Sequence, residues 1–327
     1  MSTFQISSLH NKNFLVTGGA GFIGSHIAEY LLKNGAKKVR VLDNLSNGFN
    51  SNIDLLKQYP AFEFLKGDIC DLDTCNKACE GIDLISHQAA VGSVPRSIKE
   101  PQLTNDANVG GFVNMLKAAN DHNIKRFVYA SSSSVYGDEP TLPKIEQRIG
   151  NCLSPYAVSK RANELYAKVF ADVYGMELIG FRYFNIFGPR QDPDGPYAAV
   201  IPLFVKGILN KTPVYINGDG EQTRDFTYVE NAVQINVKGM LTENKKALNR
   251  FYNVAVGENF SVNELYEAVR KQLNRNHAAT YREQRAGDIR NSLADISLAN
   301  EYLEYNPTTK FQDGLKVTIE YFKQLYS

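Results

Sequence analysis

The stretch FLVTGGAGFIG at residues 14–24 constrains this chain more than any other part of it. It reads as a short apolar strand (Phe14, Leu15, Val16), a glycine turn, and the first turn of a helix starting near Phe22. Each glycine has its own task. Gly18 turns the backbone sharply with positive φ, and Gly21 lets the main chain approach a pyrophosphate with no Cβ in the way. Gly24 lets the helix pack closely on the strand. The phosphates then rest on free N–H groups at Phe22, Ile23 and Gly24, the positive end of the helix. A glycine turn alone is weak, because such turns join strands to helices without any ligand. Here a second apolar strand, Val39-Arg40-Val41-Leu42, ends in Asp43 about twenty residues further on. A carboxylate there accepts from both ribose hydroxyls and repels a 2′-phosphate. Asp43, with Asn44 opening the polar loop beside the adenosine ribose, therefore points to NAD rather than NADP.

The same rhythm continues. Residues 62–65 form a third strand running into Gly67-Asp68-Ile69, where Asp68 can accept from the adenine amino group beside Ile69. Residues 82–87 form a fourth, leading into Gln88-Ala89-Ala90, whose small side chains leave space for the nicotinamide half. His87 ends that strand and reads as a packed, hydrogen-bonded histidine rather than a base. A long helix is expected over 102–122, carrying Asn108, and a fifth strand at 127–130 enters Ser131-Ser132-Ser133-Ser134. Strands alternating with helices of this length give an α/β fold, a Rossmann-like doubly wound parallel sheet. The polar punctuation falls at strand carboxyl ends, where such sheets bind ligands. After about Gly180 the segments shorten and turns multiply, with helices expected near 229–245, 261–275 and 312–326. We read 1–182 as the NAD-binding domain and 183–327 as a smaller α/β substrate domain, with the chain crossing back near 225–255.

Composition removes several alternatives. The chain has 327 residues and a formal net charge of +1, with no basic block that would suit nucleic acid or an anionic membrane surface. Residues 1–12 read as a polar lead-in, a short surface helix, without the basic-then-apolar pattern of a secretory signal. Cys70, Cys75, Cys79 and Cys152 fit a reducing cytoplasm as ordinary semi-buried thiols, and no histidine or second cysteine pair completes a metal set, so none is expected.

A second motif carries chemistry. Ser154-Pro155 opens a helix, and Tyr156 and Lys160 of YAVSK stack on one face of it. An ammonium held close to a phenol, next to a cationic nicotinamide ring, favours the phenolate and makes the tyrosine a usable general base. The remaining lysine N–H groups can hold the nicotinamide ribose. Ser132 is the expected third member, sharing the substrate's reacting hydroxyl with Tyr156. Ser133 and Ser134 could do similar work or line a sugar pocket, and the sequence does not rank the three.

TGGAGFIG, the strand-end Asp43, SSSSVYG, YAVSK and RYFNIFGPR together resemble an extended short-chain dehydrogenase/reductase over nearly the whole chain. Within that family, HQAAVGSVPRSI, RQDPDGPYAAVIP, VYINGDGEQTRDF and RAGDIRNSLADIS look like the UDP-N-acetylglucosamine/UDP-N-acetylgalactosamine 4-epimerases. The resemblance implies that Tyr156 takes the O4 proton while C4 gives hydride to bound NAD+; the 4-keto sugar turns over and the hydride returns to its other face. It also implies roles for single residues. Phe184 and Asn108 would lie with the cofactor, and Asn185 would hold phosphate or sugar. Ala199 and Val200 would contact the nucleotide, Tyr215 to Asn217 would flank uracil, and Arg224 and Arg285 would clamp the diphosphate. Asp288 would accept from the uridine ribose, and Gly92, Ser93 and Arg96 would line the sugar pocket. Ser292 matches a position where epimerases for plain UDP-glucose often carry an aromatic, so a serine leaves room for a 2-N-acetyl group. The group usually forms homodimers through two long helices, here 102–122 and 155–174. The rivals are nucleotide-sugar 4,6-dehydratases and decarboxylases, which resemble a pattern with a carboxylate where this chain has Ser133-Ser134. Epimerases for UDP-glucose or an N-acetylated uronic acid, whose carboxylate Arg96 could meet, share the remaining motifs. A non-catalytic NAD-sensing regulator would be expected to have lost Tyr156 or Lys160.

Overall fold

A computed structural model describes residues 9–194, 199–283 and 290–326. Most of the expected lead-in helix, together with Arg285 and Asp288, lies outside the described residues. The chain begins β1 (Asn13–Thr17), α1 (Phe22–Lys33), β2 (Lys38–Asp43), α2 (Asn50–Leu56), β3 (Phe62–Lys66), α3 (Leu72–Cys79) and β4 (Leu84–His87). Then come α4 (Val94–Lys99), α5 (Pro101–Asn105), a π turn (Asp106–Gly110), α6 (Gly111–Asp121), β5 (Arg126–Ser132), a 3-10 turn (Ser133–Tyr136), α7 (Pro155–Tyr174) and β6 (Glu177–Tyr183). The remainder is β7 (Ile186–Phe187), α8 (Val200–Leu209), β8 (Val214–Asn217), β9 (Thr223–Arg224), β10 (Thr227–Tyr228), α9 (Val229–Leu241), β11 (Arg250–Val254), β12 (Phe260–Ser261), α10 (Val262–Leu273), β13 (Ala279–Arg282), α11 (Ser297–Leu303) and α12 (Phe311–Tyr326).

The main sheet has seven strands in the order β11-β6-β5-β4-β1-β2-β3, every neighbour parallel. Its central strands are apolar on both sides because helices cover both faces. On one face Ile27, Ala28 and Leu31 of α1 share a core with Val233, Val237 and Met240 of α9. On the other, Cys75 and Cys79 of α3 pack with Phe112 and Met115 of α6 and Phe170 of α7. Those two cysteines are fully buried rather than semi-buried. Strand order reverses between β1 and β4, which opens a crevice above their carboxyl ends. Residues 229–254 return to this sheet, supplying α9 and the edge strand β11. The shorter elements build a separate apolar core from α8, α10 and α12 around Phe204, Leu265, Phe311 and Phe322.

The long helix expected over 102–122 is not uniform. Its middle widens into the π turn, and Asn108, on that turn, is held from two sides. Asn108 Oδ1 accepts the Val91 N–H at 2.7 Å, and Nδ2 donates to Val91 O and to Ser159 Oγ, both at 3.1 Å. Such single π turns commonly sit at functional positions.

Candidate active site

A cleft of about 720 Å³ lies at the switch point. Gly18, Gly21, Phe22, Ile23, Gly24, Asp43, Asn44, Asp68, Ile69, Gln88, Ala89, Ala90, Gly92, Arg96, Ser132, Tyr156, Lys160 and Asn185 all line it. The glycines are required by geometry at two places. Gly18 has φ 68°, and a Cβ there would stand 2.7 Å from Ala89 N; a Cβ on Gly24 would meet Gly18 O at 2.2 Å. Gly21 caps α1 without any side-chain hydrogen bond, and the first turn of that helix carries no acidic residue. Unfilled donors at a helix start, facing a cleft, suit a pyrophosphate. Asp43 is nearly buried, and its two oxygens accept the Ala20 N–H at 2.9 Å and the Leu45 N–H at 2.8 Å. Burial pushes its pKa up against those bonds. The donor set and the cradle both fit a dinucleotide.

Three cofactor-side expectations change in detail. Asp68 already accepts from Asn44 Nδ2 and from the Cys70 N–H, each at 2.8 Å, so it anchors the loop after β2 as well as facing the cleft. Asn108 stands behind the wall, fixing the loop after β4 to α7. Phe184 is fully buried, its ring 5.9 Å from that of Tyr136, and does not line the cleft. His87 behaves as a core histidine. Its Nδ1 lies 2.9 Å from Thr17 Oγ1, its ring stacks on Phe127, and burial pushes its pKa down to about 3.

The catalytic helix is placed by its cap. Ser154 Oγ accepts the Ala157 N–H at 3.1 Å with Pro155 in the first turn, which aims Tyr156 and Lys160 at the end of β5. Lys160 Nζ donates to Ala130 O at 2.9 Å and stands 5.9 Å from the centre of the Tyr156 ring. Of the three serines, Ser132 is the one in the cleft. Its hydroxyl accepts the Ser134 N–H at 3.1 Å and hydrogen-bonds Tyr156. Ser133 and Ser134 curl away in the 3-10 turn.

The protein by itself does not lower the tyrosine pKa. Burial raises the phenol's value, and only the Ser132 hydrogen bond works against it. Burial also brings Lys160 down to about 8. The lysine is tied to a backbone carbonyl, so it faces the ring rather than the hydroxyl.

Sequence reading missed the groups that hold these residues still. Glu164 is fully buried and receives both Arg182 Nε at 2.8 Å and Nη2 at 2.9 Å, with Ser131 Oγ at 2.8 Å. That cluster fixes β5, β6 and α7 together one residue from Ser132. Tyr183 OH donates to Gln88 Oε1 at 2.9 Å, and Asn236 of α9 accepts from Gln88 Nε2 at 3.0 Å. Tyr183 was visible in RYFN. Asn236 reaches the site from a distant helix and leaves no local signal.

The nucleotide-side residues are divided. Val200, Tyr215 and Asn217 line a second cleft of about 460 Å³ together with Arg282, and Ala199 caps α8 beside them. Arg282 Nε donates to Asn217 Oδ1 at 2.6 Å and its guanidinium lies 5.0 Å above the Tyr215 ring. Asn185 Nδ2 donates to Asp225 O at 3.1 Å. Arg224 Nη1 donates to Thr223 O at 2.8 Å, and the Ser292 N–H reaches the same carbonyl at 3.1 Å. Arg224 and Ser292 are therefore neighbours.

A parallel sheet with its glycine cradle, strand-end aspartate and Tyr-Lys-Ser cluster defines a dinucleotide-dependent enzyme. Residues 14–255 match the NAD dependent epimerase/dehydratase family, and the chain belongs to that family. It is similar to the UDP-N-acetylglucosamine 4-epimerase of Methanobrevibacter ruminantium, solved with UDP-N-acetylmuramic acid (39% identity, 97% of this chain and 99% of that one, TM-score 0.91). It is similar also to the UDP-glucose 4-epimerase of Thermotoga maritima, solved with UDP-glucose (34%, 96% and 100%, TM-score 0.91). A third is the UDP-glucuronic acid 4-epimerase of Bacillus cereus, solved with UDP-glucuronic acid and NAD (32%, 96% and 100%, TM-score 0.90). The protein is an isomerase, an NAD-dependent nucleotide-sugar 4-epimerase. Its three relatives differ in the sugar they carry, so the sugar has to be argued from this chain's own residues.

Proposed function

We propose that the enzyme interconverts UDP-N-acetylglucosamine and UDP-N-acetylgalactosamine. The observation that carries this reading is Ser292, a small, half-buried side chain beside Arg224. By the sequence resemblance, Arg224 and Arg285 clamp the diphosphate, Asn185 holds phosphate or sugar, and Asp288 accepts from the uridine ribose. Bulk at position 292 would close the space that a 2-N-acetyl group needs.

NAD, which the glycine cradle at Gly18, Gly21 and Gly24 and the strand-end Asp43 would hold, would supply the hydride acceptor and donor for C4, so that one cofactor serves both halves of the inversion. Tyr156 receives the O4 proton and later gives it back. Ser132 shares that proton's hydrogen bond and donates to the C4 oxygen as it becomes a carbonyl. Lys160 supplies positive charge beneath the phenol ring and holds the nicotinamide ribose. Ser133 and Ser134 put no carboxylate where a dehydratase or decarboxylase would need one. Arg96 lines the glycine-turn cleft and not the second cleft of Val200, Tyr215 and Asn217, which gives a uronic acid no support.

A homodimer fits the surface. Val158, Leu165, Val169 and Val173 of α7 are each at least half exposed, and Leu103 of α5 is exposed as well. An apolar stripe of this kind on one helix suits helix-on-helix packing between two copies. Light scattering should give twice the chain mass, and a Val169→Asp variant should run as a monomer; a monomeric wild-type protein removes the proposal. The described residues contain no helix long and apolar enough to cross a membrane. Four free thiols agree with a cytoplasmic setting.

Competition tests the sugar. An equal mixture of UDP-N-acetylglucosamine and UDP-glucose should yield mainly the N-acetylated product by chromatography. Exclusive formation of UDP-galactose would overturn the assignment.

A further inference from the structure

α4 starts from a strained residue. Ser93 has φ 114° and ψ 119°, a combination natural to glycine and held elsewhere only by its surroundings. Its hydroxyl accepts the Arg96 N–H at 3.2 Å, and the helix begun this way carries Arg96 into the large cleft. Arg96 Nη1 donates to Asn47 Oδ1 at 2.7 Å, and Nε approaches Glu100 Oε2 at 3.4 Å. Asn47 belongs to the loop after β2, which is folded onto the glycine turn by the Phe49 N–H on Ala20 O at 3.0 Å. Arg96 belongs to the segment after β4. In the sheet β1 lies between β4 and β2, so this bridge crosses the switch point over the turn from β1 into α1.

The charges make the crossing informative. A dinucleotide's pyrophosphate is a dianion, whereas the start of α1 offers roughly half a positive charge. Among the described residues lining the cleft, the cations are Arg96 and Lys160, and Lys160 is committed to Ala130 beneath Tyr156. The Arg96 bonds to Asn47 and Glu100 use one Nη1 hydrogen and Nε–H. A guanidinium has five such donors, and Nη2 has no protein partner among the described residues. Guanidinium forks match phosphate oxygens.

We propose that Arg96 is a latch on the cofactor, closing over the NAD pyrophosphate so that the diphosphate lies between the N–H groups of α1 and a guanidinium. The latch keeps NAD resident through a cycle that oxidises and reduces it without release. This assigns Arg96 to the cofactor rather than to the sugar, where sequence resemblance had put it.

The test uses the full protein with its resident NAD and no sugar, so its outcome is independent of which sugar the enzyme takes. Exchange of resident NAD against isotopically labelled NAD is followed in wild type, Arg96→Gln, Arg96→Lys and Asn47→Ala. UDP affinity is measured on the same samples. Arg96→Gln should exchange roughly tenfold to a hundredfold faster, the size of a lost charged hydrogen bond. Arg96→Lys and Asn47→Ala should fall between it and wild type, and UDP affinity should not change. Added salt should speed exchange in wild type far more than in Arg96→Gln. Unchanged exchange, or an equal loss of UDP affinity, would overturn the proposal. Should Arg96→Gln fail to fold, Asn47→Ala decides by the same readout: faster exchange supports the latch and an unchanged rate refutes it.

Discussion

The cofactor half and the nucleotide-sugar half of this molecule are built on different principles. In the first, one contiguous loop and the ends of adjacent parallel strands make a single cleft, and much of the recognition is done by backbone. Gly18, Gly21 and Gly24 are needed for what they lack, and the donors they expose belong to the main chain. In the second, the side chains we propose for the nucleotide sugar come from separate stretches of the chain, on β8, β9, α8, β13 and the segment around Ser292. Backbone recognition demands a fixed local pattern, whereas side-chain recognition can be met from many directions. The cofactor half should therefore fail all at once when touched, and the sugar half should retune.

Tyr156→Phe is the strongest test of that division. Removing the proton acceptor should lower turnover by about 10²–10⁴-fold while resident NAD, measured by absorbance after denaturation, stays at wild-type content. Loss of NAD together with activity would show that the tyrosine belongs to the cradle instead. Ser292→Tyr should retune rather than abolish. The ratio of rates on N-acetylated over plain UDP-sugar should fall by roughly tenfold or more, on the order of 1–3 kcal/mol of steric cost. An unchanged ratio in parallel assays would refute the pocket reading.

Those two halves were unequally legible in the sequence. FLVTGGAGFIG, Asp43 and the alternation of strands and helices led to the parallel sheet and the NAD cleft. Tyr156, Lys160 and Ser132 meet where the motif placed them, because Ser154-Pro155 sets the helix start. Legibility ended where a residue's role depends on a distant partner. Nothing local marks Asn236 as the support of Gln88, or Glu164 as the anchor of Ser131. Neither did the sequence predict the π turn at Asp106–Gly110, on which Asn108 is held by Val91 and Ser159 from elsewhere in the chain. The tyrosine's raised pKa is of the same kind, since burial is a property of the fold and not of YAVSK.

Smaller effects sharpen the contrast. Gly24→Ala puts a Cβ 2.2 Å from Gly18 O, which should cost roughly 1–3 kcal/mol of stability and release the resident NAD. A thermal melt with a cofactor assay reads both, and a variant that keeps NAD at wild-type stability would contradict the cradle.

Lys160 gives the smallest effect and a signed pH dependence. Its amine is lowered from 10.5 to about 8 in the folded protein by burial. Below about pH 8 the folded state carries the full cost of a buried charge. Between about 8 and 10.5 the folded protein loses this proton before the unfolded chain does, so stability rises with pH through that window. In cofactor-free protein, Lys160→Met should abolish the rise and be more stable at neutral pH by roughly 1–2 kcal/mol, after the lost bond to Ala130 is set against it. Denaturant unfolding across the window compares the two, and identical slopes would show that the lysine is not strained by burial.

The central claim is that one resident cofactor and the Tyr156-Lys160-Ser132 cluster invert C4 of a UDP-N-acetylhexosamine with no net redox change. Proton NMR of the purified protein with UDP-N-acetylglucosamine and no added NAD tests it most directly. The anomeric signal of UDP-N-acetylgalactosamine should appear and grow to a stable ratio with the substrate. No turnover of the N-acetylated sugar while UDP-glucose reacts, or the appearance of a 6-deoxy-4-keto product, would contradict it.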